Sequence, residues 1–449
     1  MAKIDDLVNE YVYMQKNNVK IEPEYYQKYD VKRGLRNQNG TGVLVGLTSI
    51  GDVHGYIIDE NEKVDVEGRL RFRGVDVNDL VEACEREDRF GFEETAFLLL
   101  FGNLPTKQQL KDFCDALSEL RELPNNFTED SILKFPSNDV MNKLARSVLT
   151  LYSEDEKAGD ISYENVIRQS MELIARFPII VAQAYQTKKH YFDGESLFLH
   201  KNVKEYSTAE NFLHILRPDN KFTHEEARLL DLCMILHAEH GGGNNSAFTT
   251  HVVSSSGTDT YSVVAAAVCS LKGPKHGGAN HKVMAMMNEI KENVKDWTDK
   301  EEVSAYLMKI LRREAFDKSG LIYGMGHAVY TISDPRAVLL KRNAKRLALE
   351  KNAMAEFELY NLVEELSPAL FCQHKGVTRP ICANVDLYSG FVYSMLNISE
   401  DLYTPLFAMA RIVGWCAHHI EEITYGGKII RPAYKSVAKK VQYSSIEER

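Results

Sequence analysis

Three histidines of this 449-residue chain stand on glycine-rich turns. His240 lies in LHAEHGGGNNS (236–246), His276 in LKGPKHGGANHKV (271–283) and His327 in YGMGHAVYTISDPRA (323–337). An imidazole can donate or accept a proton near neutral pH. Glycines beside it remove the Cβ atoms that would keep a small substrate or a backbone amide away. Three arginines add a second theme: Arg336 after Pro335, Arg411 inside the apolar run FAMARIVGWCAHH, and Arg431 before Pro432. A cation in so apolar a run is costly unless it meets an anion, and a guanidinium holds a carboxylate in two-pronged fashion. Asp386, in ANVDLYSG, is the candidate general base. Isolated arginines suit a small di- or tricarboxylate, and neutral histidines with one carboxylate suit proton transfer next to a carbonyl. The chain carries no nucleophile elbow, no P-loop and no dinucleotide-binding glycine motif.

Each residue also has a plainer reading. His237 and His240, three apart, could satisfy carbonyls at a helix end closed by Gly241. His276 could be a loop residue, Asp386 a helix cap, and Arg411 half of a buried salt bridge. A metal on His237 and His240 is not expected, because no third ligand is nearby and the spacing is not that of zinc proteases.

Helices must position these residues. From Asp76 onward apolar residues recur at i, i+3 and i+4. The pattern predicts helices over 210–216, 224–240, 261–271, 281–294, 300–315, 336–349, 353–365 and 402–422, among others. Thr106 with Gln109 reads as a capping box, and Asp334 as the cap of a helix with Pro335 in its first turn. Residues 1 to about 30 read as a helical arm, and 31–75 as loops with a few short strands. The fold class is therefore all-α, in two helical domains. Glycine-rich joints at Gly273–Gly278 and Asn384–Gly390 divide a large domain, 1–278 with 391–449, from a small lid domain, 279–390.

The formal net charge is -10, from 64 acidic and 54 basic residues, and only KRNAKR (341–346) is a basic cluster. Nucleic acid is not an expected partner. The seven cysteines are scattered and odd in number, as for free core thiols in a reducing compartment. There is no signal-peptide layout and no run near the ~20 apolar residues of a membrane span, so a cytoplasmic protein is expected.

With these motifs in this order, the chain resembles the citrate synthase family, which includes bacterial citrate and 2-methylcitrate synthases. The likeness runs from about Val31 to Pro432. It is carried by GRLRFRGVDVNDL, FLLLFGNLPT, LHAEHGGGNNSAFT, GPKHGGAN, GMGHAVYTISDPRA, ANVDLYSG and ARIVGW with IIRP. The resemblance implies an acyltransferase that condenses acetyl-CoA with oxaloacetate and water through an enol, giving citrate and CoA. By the same likeness His276 binds the thioester oxygen, Asp386 removes the methyl proton and His327 polarises the oxaloacetate carbonyl. His240, Arg336, Arg411 and Arg431 hold the carboxylates, with Arg431 contributed across a homodimer. His237 is supporting. Thr331 and Ile332 stand where the family commonly has a basic residue for CoA. The expected CoA contacts are therefore Gly324, Met325, Gly326, Lys375 and Arg379, with KRNAKR a further possibility. Acetyl-CoA is a substrate; no cofactor, metal or membrane partner is implied. The competing readings are a 2-methylcitrate synthase using propionyl-CoA and a non-catalytic carboxylate-binding homologue, for which the arginines alone would suffice.

Overall fold

The computed structural model describes residues 2–37, 40–60 and 62–448. The chain falls into two compact units, Met1–Leu47 with Arg431–Arg449, and Thr48–Ile430. The first holds helices α1 (Ala2–Asn18) and α2 (Glu24–Lys28), which match the expected arm. Within it, the Lys435 ammonium lies over the Tyr29 ring at 5.5 Å.

The second unit begins with an antiparallel sheet of order β1-β2-β3: β1 (Gly51–Asp59), β2 (Glu62–Phe72) and β3 (Val75–Asp76). The first two strands are longer than the short ones expected. The register shifts between His54 and Tyr56, around Gly55. Helices follow: α3 (Val77–Glu87), α4 (Phe92–Phe101), α5 (Lys107–Leu120), α6 (Val140–Tyr152), α7 (Tyr163–Phe192), α8 (Thr208–Leu216), α9 (His224–His237), α10 (Asn245–Ser254) and α11 (Thr260–Leu271). The rest are α12 (Ala279–Asn293), α13 (Lys300–Leu311), α14 (Pro335–Glu350), α15 (Met354–Lys375), α16 (Val385–Met395) and α17 (Tyr403–Glu421). Among the described residues the fold is all-α apart from one three-stranded sheet.

Local chemistry starts many of these helices. Thr106 with Gln109, Ser207 with Glu210 and Thr223 with Glu226 form reciprocal capping boxes on α5, α8 and α9. Asp334 caps α14, with Pro335 in the first turn as expected. Helix α17 is buried almost all round, so it is the central strut rather than an amphipathic cover. It packs on α4, α7, α9, α10 and α11.

Three boundaries differ from the sequence reading. Helix α9 stops at His237, not His240, so the two histidines do not share a helix face. Helix α15 runs to Lys375 through Pro368, because Leu366, Leu370 and Phe371 continue its apolar stripe against the core. The stretch 384–390 is not a loose joint: Gly390 lies inside α16, where a Cβ would stand 2.7 Å from Met284 Sδ on α12. That glycine allows two helices to touch, and the expected domain boundary at 390 falls within α16. All seven cysteines are free; Cys269 is exposed, so it is not a core thiol. Among the described residues no helix is long and apolar enough to cross a membrane.

Candidate active site

The site is built from four chain ends that glycines bring close together. After α9, the turn Ala238–Gly241 is clamped from two sides. A Cβ on Gly51 of β1 would lie 2.7 Å from Glu239 Oε1, and one on Gly414 of α17 would lie 2.5 Å from the Ala238 carbonyl oxygen. Gly241 takes φ +81, which favours glycine. The turn buries Glu239 and His240. Glu239 Oε1 accepts from Gly241 N at 2.5 Å and from His418 Nε2 at 3.0 Å.

The second end is the turn after α11. The helix stops at Leu271, as Gly273 and Pro274 predict, and His276 N donates to Gly273 O at 2.9 Å. Gly277 does not leave room for substrate. A Cβ there would stand 2.6 Å from the Leu271 carbonyl oxygen and 2.8 Å from Thr404 Cγ2, so the space belongs to the protein itself. His276 Nε2 lies 3.1 Å from the Ser246 hydroxyl, which accepts from the Trp415 indole N–H at 3.0 Å. The hydroxyl has one proton, with Asn244 Oδ1 at 3.0 Å and His276 Nε2 as its acceptors. Turned to Nε2, it leaves the ring proton on Nδ1, ready to donate.

The third end is the loop 323–334. Gly324 and Gly326 take φ +82 and +91. His327 Nδ1 accepts from Val329 N at 3.0 Å and Tyr330 N at 3.1 Å, so the ring carries its proton on Nε2. The sheet holds this loop through its own glycines. A Cβ on Gly55 would lie 2.9 Å from Val329 O, and one on Gly68 would collide with Ser333 O. Strand glycines here mark backbone approach. The His327 ring stacks on Tyr330 at 4.7 Å and meets the His240 ring edge-on at 5.1 Å.

The fourth end is the start of α16. Asn384, not Asp386, is the cap; its Oδ1 accepts from Asp386 N at 3.0 Å. This leaves the Asp386 carboxylate uninvolved in capping. The loop and the helix are stitched together. Gly326 N donates to Cys382 O at 2.7 Å, Asn384 N to Gly324 O at 2.9 Å, and Asn384 Nδ2 to Gly326 O at 2.8 Å, with Met325 bridging Ala383.

Two arginines complete the cluster. Arg336 is bound by Asp334 through Nε at 3.0 Å and Nη2 at 2.7 Å. Arg411 is 0% exposed; its Nε donates to His237 O at 2.5 Å, and both Nη1 and Nη2 are buried with no hydrogen-bond partner among the described residues. Its guanidinium lies 4.7 Å from the Phe407 ring, against which the rings of His237 and His276 also stand edge-on. His240 Nε2 is likewise buried with no hydrogen-bond partner among the described residues.

The electrostatics follow from burial. Desolvation, with Arg411 second, lowers His276 to about 4. Desolvation lowers His237 to about 3 and carries His240 well below its ordinary value, with Arg336 and His327 adding to it. These imidazoles are neutral near pH 7. Desolvation raises Asp386 to about 6 against the pull of Arg336 and Arg411, and lowers Arg411 to about 10. The result is a set of neutral donors, one carboxylate of raised basicity, and a guanidinium whose terminal nitrogens bond no group among the described residues. Such a set can bind a small carboxylate and move a proton beside a carbonyl.

A family model described as "Citrate synthase, C-terminal domain" matches residues 39–433. The chain belongs to the citrate synthase family. It is 34% identical to a citrate synthase of Deinococcus radiodurans over 386 residues, covering 85% of this chain and 93% of that one. It is 30% identical to a 2-methylcitrate synthase of Corynebacterium glutamicum, covering 93% and 96%. A solved citrate synthase from Thermoplasma acidophilum, in ternary complex with carboxymethyl coenzyme A and oxaloacetate, superposes with a TM-score of 0.74 at 27% identity, covering 93% of this chain and 99% of that one.

For this citrate synthase family member, six of the residues singled out in the sequence converge in Thr48–Ile430: His240, His276, His327, Arg336, Asp386 and Arg411. Arg431 is exposed and belongs to the other unit. Of the residues expected at CoA, Gly324 packs on Leu387, while Met325 N and Gly326 N donate to Ile322 O and Cys382 O. Lys375 is exposed at the end of α15, and Arg379 forks onto Asp65 at 2.6 and 2.7 Å. In KRNAKR, Lys341 pairs with Glu364, Arg342 with Glu85 and Arg346 with Glu225. Sequence reasoning missed Ser246, Trp415, Glu239 and Asp334 as site residues. Only Asp334, two residues before Arg336, carried a signal that could have been extended to it.

Proposed function

We propose that this chain condenses acetyl-CoA with oxaloacetate and water, giving citrate and CoA. The observation that carries the proposal is Arg411, a fully buried guanidinium whose two terminal nitrogens have no partner among the described residues. The buried Glu239 carboxylate supports this cation electrostatically but does not bond its terminal nitrogens, which are left for a substrate anion, and Arg411 is coupled also to Arg336, Asp386, His240 and His276. Oxaloacetate supplies carboxylates to Arg411 and Arg336 and a carbonyl oxygen to the Nε2–H of His327, with His240 beside it.

Asp386 then takes a methyl proton from acetyl-CoA. Its raised pKa makes it a stronger base than an exposed carboxylate while leaving it mostly ionised at pH 7. His276, neutral, donates to the thioester oxygen and stabilises the enol. The enol carbon attacks the oxaloacetate carbonyl, whose oxygen is protonated from the His327 side. Water then cleaves the citryl thioester to citrate and CoA. No cofactor enters any step. We place the lid that excludes water before enolisation in helices α12–α16, with α16 moving whole rather than hinging at 390. A second copy supplies Arg431, and the protein works in the cytoplasm. Lys375, the 324–326 loop and Arg379, once released from Asp65, face the CoA phosphates.

A second reading has a specific support: 2-methylcitrate synthases stand among the relatives at 30% identity, within the 28–34% range of the citrate synthases. One methylene is worth only about 1–3 kcal/mol of discrimination. The test of both is thiol release from acetyl-CoA and from propionyl-CoA, each with and without oxaloacetate, with products identified by mass. Oxaloacetate-dependent release with acetyl-CoA preferred supports citrate synthesis, and the reverse preference supports 2-methylcitrate. No release from a protein that binds oxaloacetate would leave only a carboxylate sensor.

A further inference from the structure

A line of four side chains runs between α10 and α17. The His251 Nδ1 pairs with Glu422 Oε2 at 2.7 Å, His251 Nε2 faces His418 Nδ1 at 3.0 Å, and His418 Nε2 pairs with Glu239 Oε1 at 3.0 Å. Each ring therefore gives its outer N–H to a carboxylate. Neutral rings so arranged present lone pairs to each other, which repel at 3.0 Å. A cation between them relieves this, either a shared proton or a metal ion.

Glu421 discriminates between the two. Its side chain is 9% exposed. Oε1 accepts from Ser49 N at 2.8 Å and Ser49 Oγ at 2.9 Å. Oε2 is buried with no hydrogen-bond partner among the described residues and lies 4.0 Å from His418 Nδ1. Donor atoms of His251, His418 and Glu421 all lie within 4.8 Å of one another. A shared proton has no use for a third ligand, whereas a divalent ion employs the orphaned oxygen.

Two imidazole nitrogens and a carboxylate oxygen are a zinc-type donor set; with Glu421 Oε2 4.0 Å from His418 Nδ1, the carboxylate swings inward on binding to reach the roughly 2.0–2.2 Å of a metal–ligand bond. A carboxylate behind each imidazole is the usual support for such ligands. Space for a fourth ligand borders the pair: a Cβ on Gly242 would stand 3.5 Å from both His251 Nε2 and His418 Cε1. The neighbouring cation Arg73 does not compete, since its Nε and Nη2 donate to Leu99 O and its Nη1 to Ser49 Oγ.

We infer that His251, His418 and Glu421 bind a divalent transition-metal ion of the zinc type, with water in the fourth position. The ion ties α10 to α17 and takes no part in the condensation. It displaces the proton held between the rings, which passes to solvent as the two metal–nitrogen bonds form.

The test uses the full-length protein, treated with chelator and titrated with Co²⁺ by visible absorption and with Zn²⁺ by calorimetry in buffers of different ionisation enthalpy. The expected result is saturable binding of one ion per chain with release of about one proton, and a Zn²⁺-dependent rise in Tm. His251→Gln and Glu421→Gln should each weaken binding at least tenfold and lose the Tm response. The glutamine at 421 keeps an acceptor for Ser49, so that variant stays informative if the other folds poorly. Absence of saturable binding in the wild type would mean a shared proton only. Binding reduced less than tenfold in either folded variant would place the ion elsewhere. Either outcome overturns the inference.

Discussion

Arg336 grips Asp334 through Nε at 3.0 Å and Nη2 at 2.7 Å, and the same carboxylate caps α14 by accepting from the Arg336 backbone N–H at 3.0 Å. Both side chains are almost wholly buried, at 5% and 0% exposure. One aspartate thus starts the helix and aims its first cation. Arg411 has no comparable carboxylate on its terminal nitrogens. The two arginines differ in what a ligand must supply, and their substitutions should differ accordingly.

Asp334→Asn removes the charge that aims Arg336 while keeping an oxygen for the cap. Caps are worth about 1 kcal/mol, so most of the fold stability should survive. Oxaloacetate KM should rise at least tenfold with kcat less affected, as read from steady-state kinetics. An unchanged KM would show that Arg336 needs no aiming.

Arg411→Met removes a buried cation that lacks a full set of partners. Two charged hydrogen bonds to a substrate carboxylate are worth about 1.5–3 kcal/mol each, so oxaloacetate affinity should fall roughly a hundredfold or more. The ligand-free protein should melt no lower than the wild type, since apolar replacement of buried charge is often neutral or stabilising. Calorimetric titration and thermal unfolding check the two halves separately. A large drop in Tm would identify Arg411 as structural.

Asp386→Asn should lower kcat by roughly 10²–10⁴, the range of general-base catalysis, while oxaloacetate still binds. In the wild type the base must be ionised, so kcat/KM should rise with pH through about 6. The residual activity of the variant should lack that limb. His276, lowered to about 4, should contribute no inflection near 6.5.

Burial of neutral histidines also sets acid stability. His237, His276 and His419, at about 3, 4 and 4, and His240, well below its ordinary value, all lie under the unfolded imidazole near 6.5. The unfolded chain binds more protons, so their contribution is whole above 6.5 and is lost as pH falls toward 4. Asp386 and Asp231, both raised by burial, act in the opposite sense: their contribution is present in acid and lost as pH rises through their folded values. Four imidazoles outweigh two carboxylates between pH 4 and 6. Tm should therefore climb from pH 4 to 6.5 in scanning calorimetry. A flat profile over that window would contradict the buried, neutral assignment.

The helical fold was legible because its signals are local. Capping boxes at Thr106, Ser207 and Thr223 and the apolar period need only neighbouring residues. Of the six residues that the structure brings together, His240, His276, His327 and Arg411 stood out for a related reason: a histidine among glycines or an arginine in an apolar run is conspicuous in one dimension, whereas Arg336 and Asp386 drew notice only from their motifs. What was hidden depends on contacts across the chain. Ser246 bears on His276 only because α10 and the 271–278 turn meet. Glu239 looks like any surface glutamate until Gly51 and Gly414 close over it. His251 and His418 are 167 residues apart. Gly277 and Gly390 were read as flexible joints, yet they are close-packing positions, and a glycine spells both alike. The same holds for His240, whose place three residues after His237 suggested a helix that in fact ends before it.

The stitching of the 324–327 loop to the 382–386 segment carries an evolutionary consequence. Gly326 to Cys382, Asn384 to Gly324, and Asn384 back to Gly326 make each stretch the main hydrogen-bonding partner of the other. A change of residue in one is therefore felt by the other, and through it by both His327 and Asp386. The two stretches should therefore vary in concert among relatives, while the exposed faces of α14 and α15, away from Arg336, are freer to change.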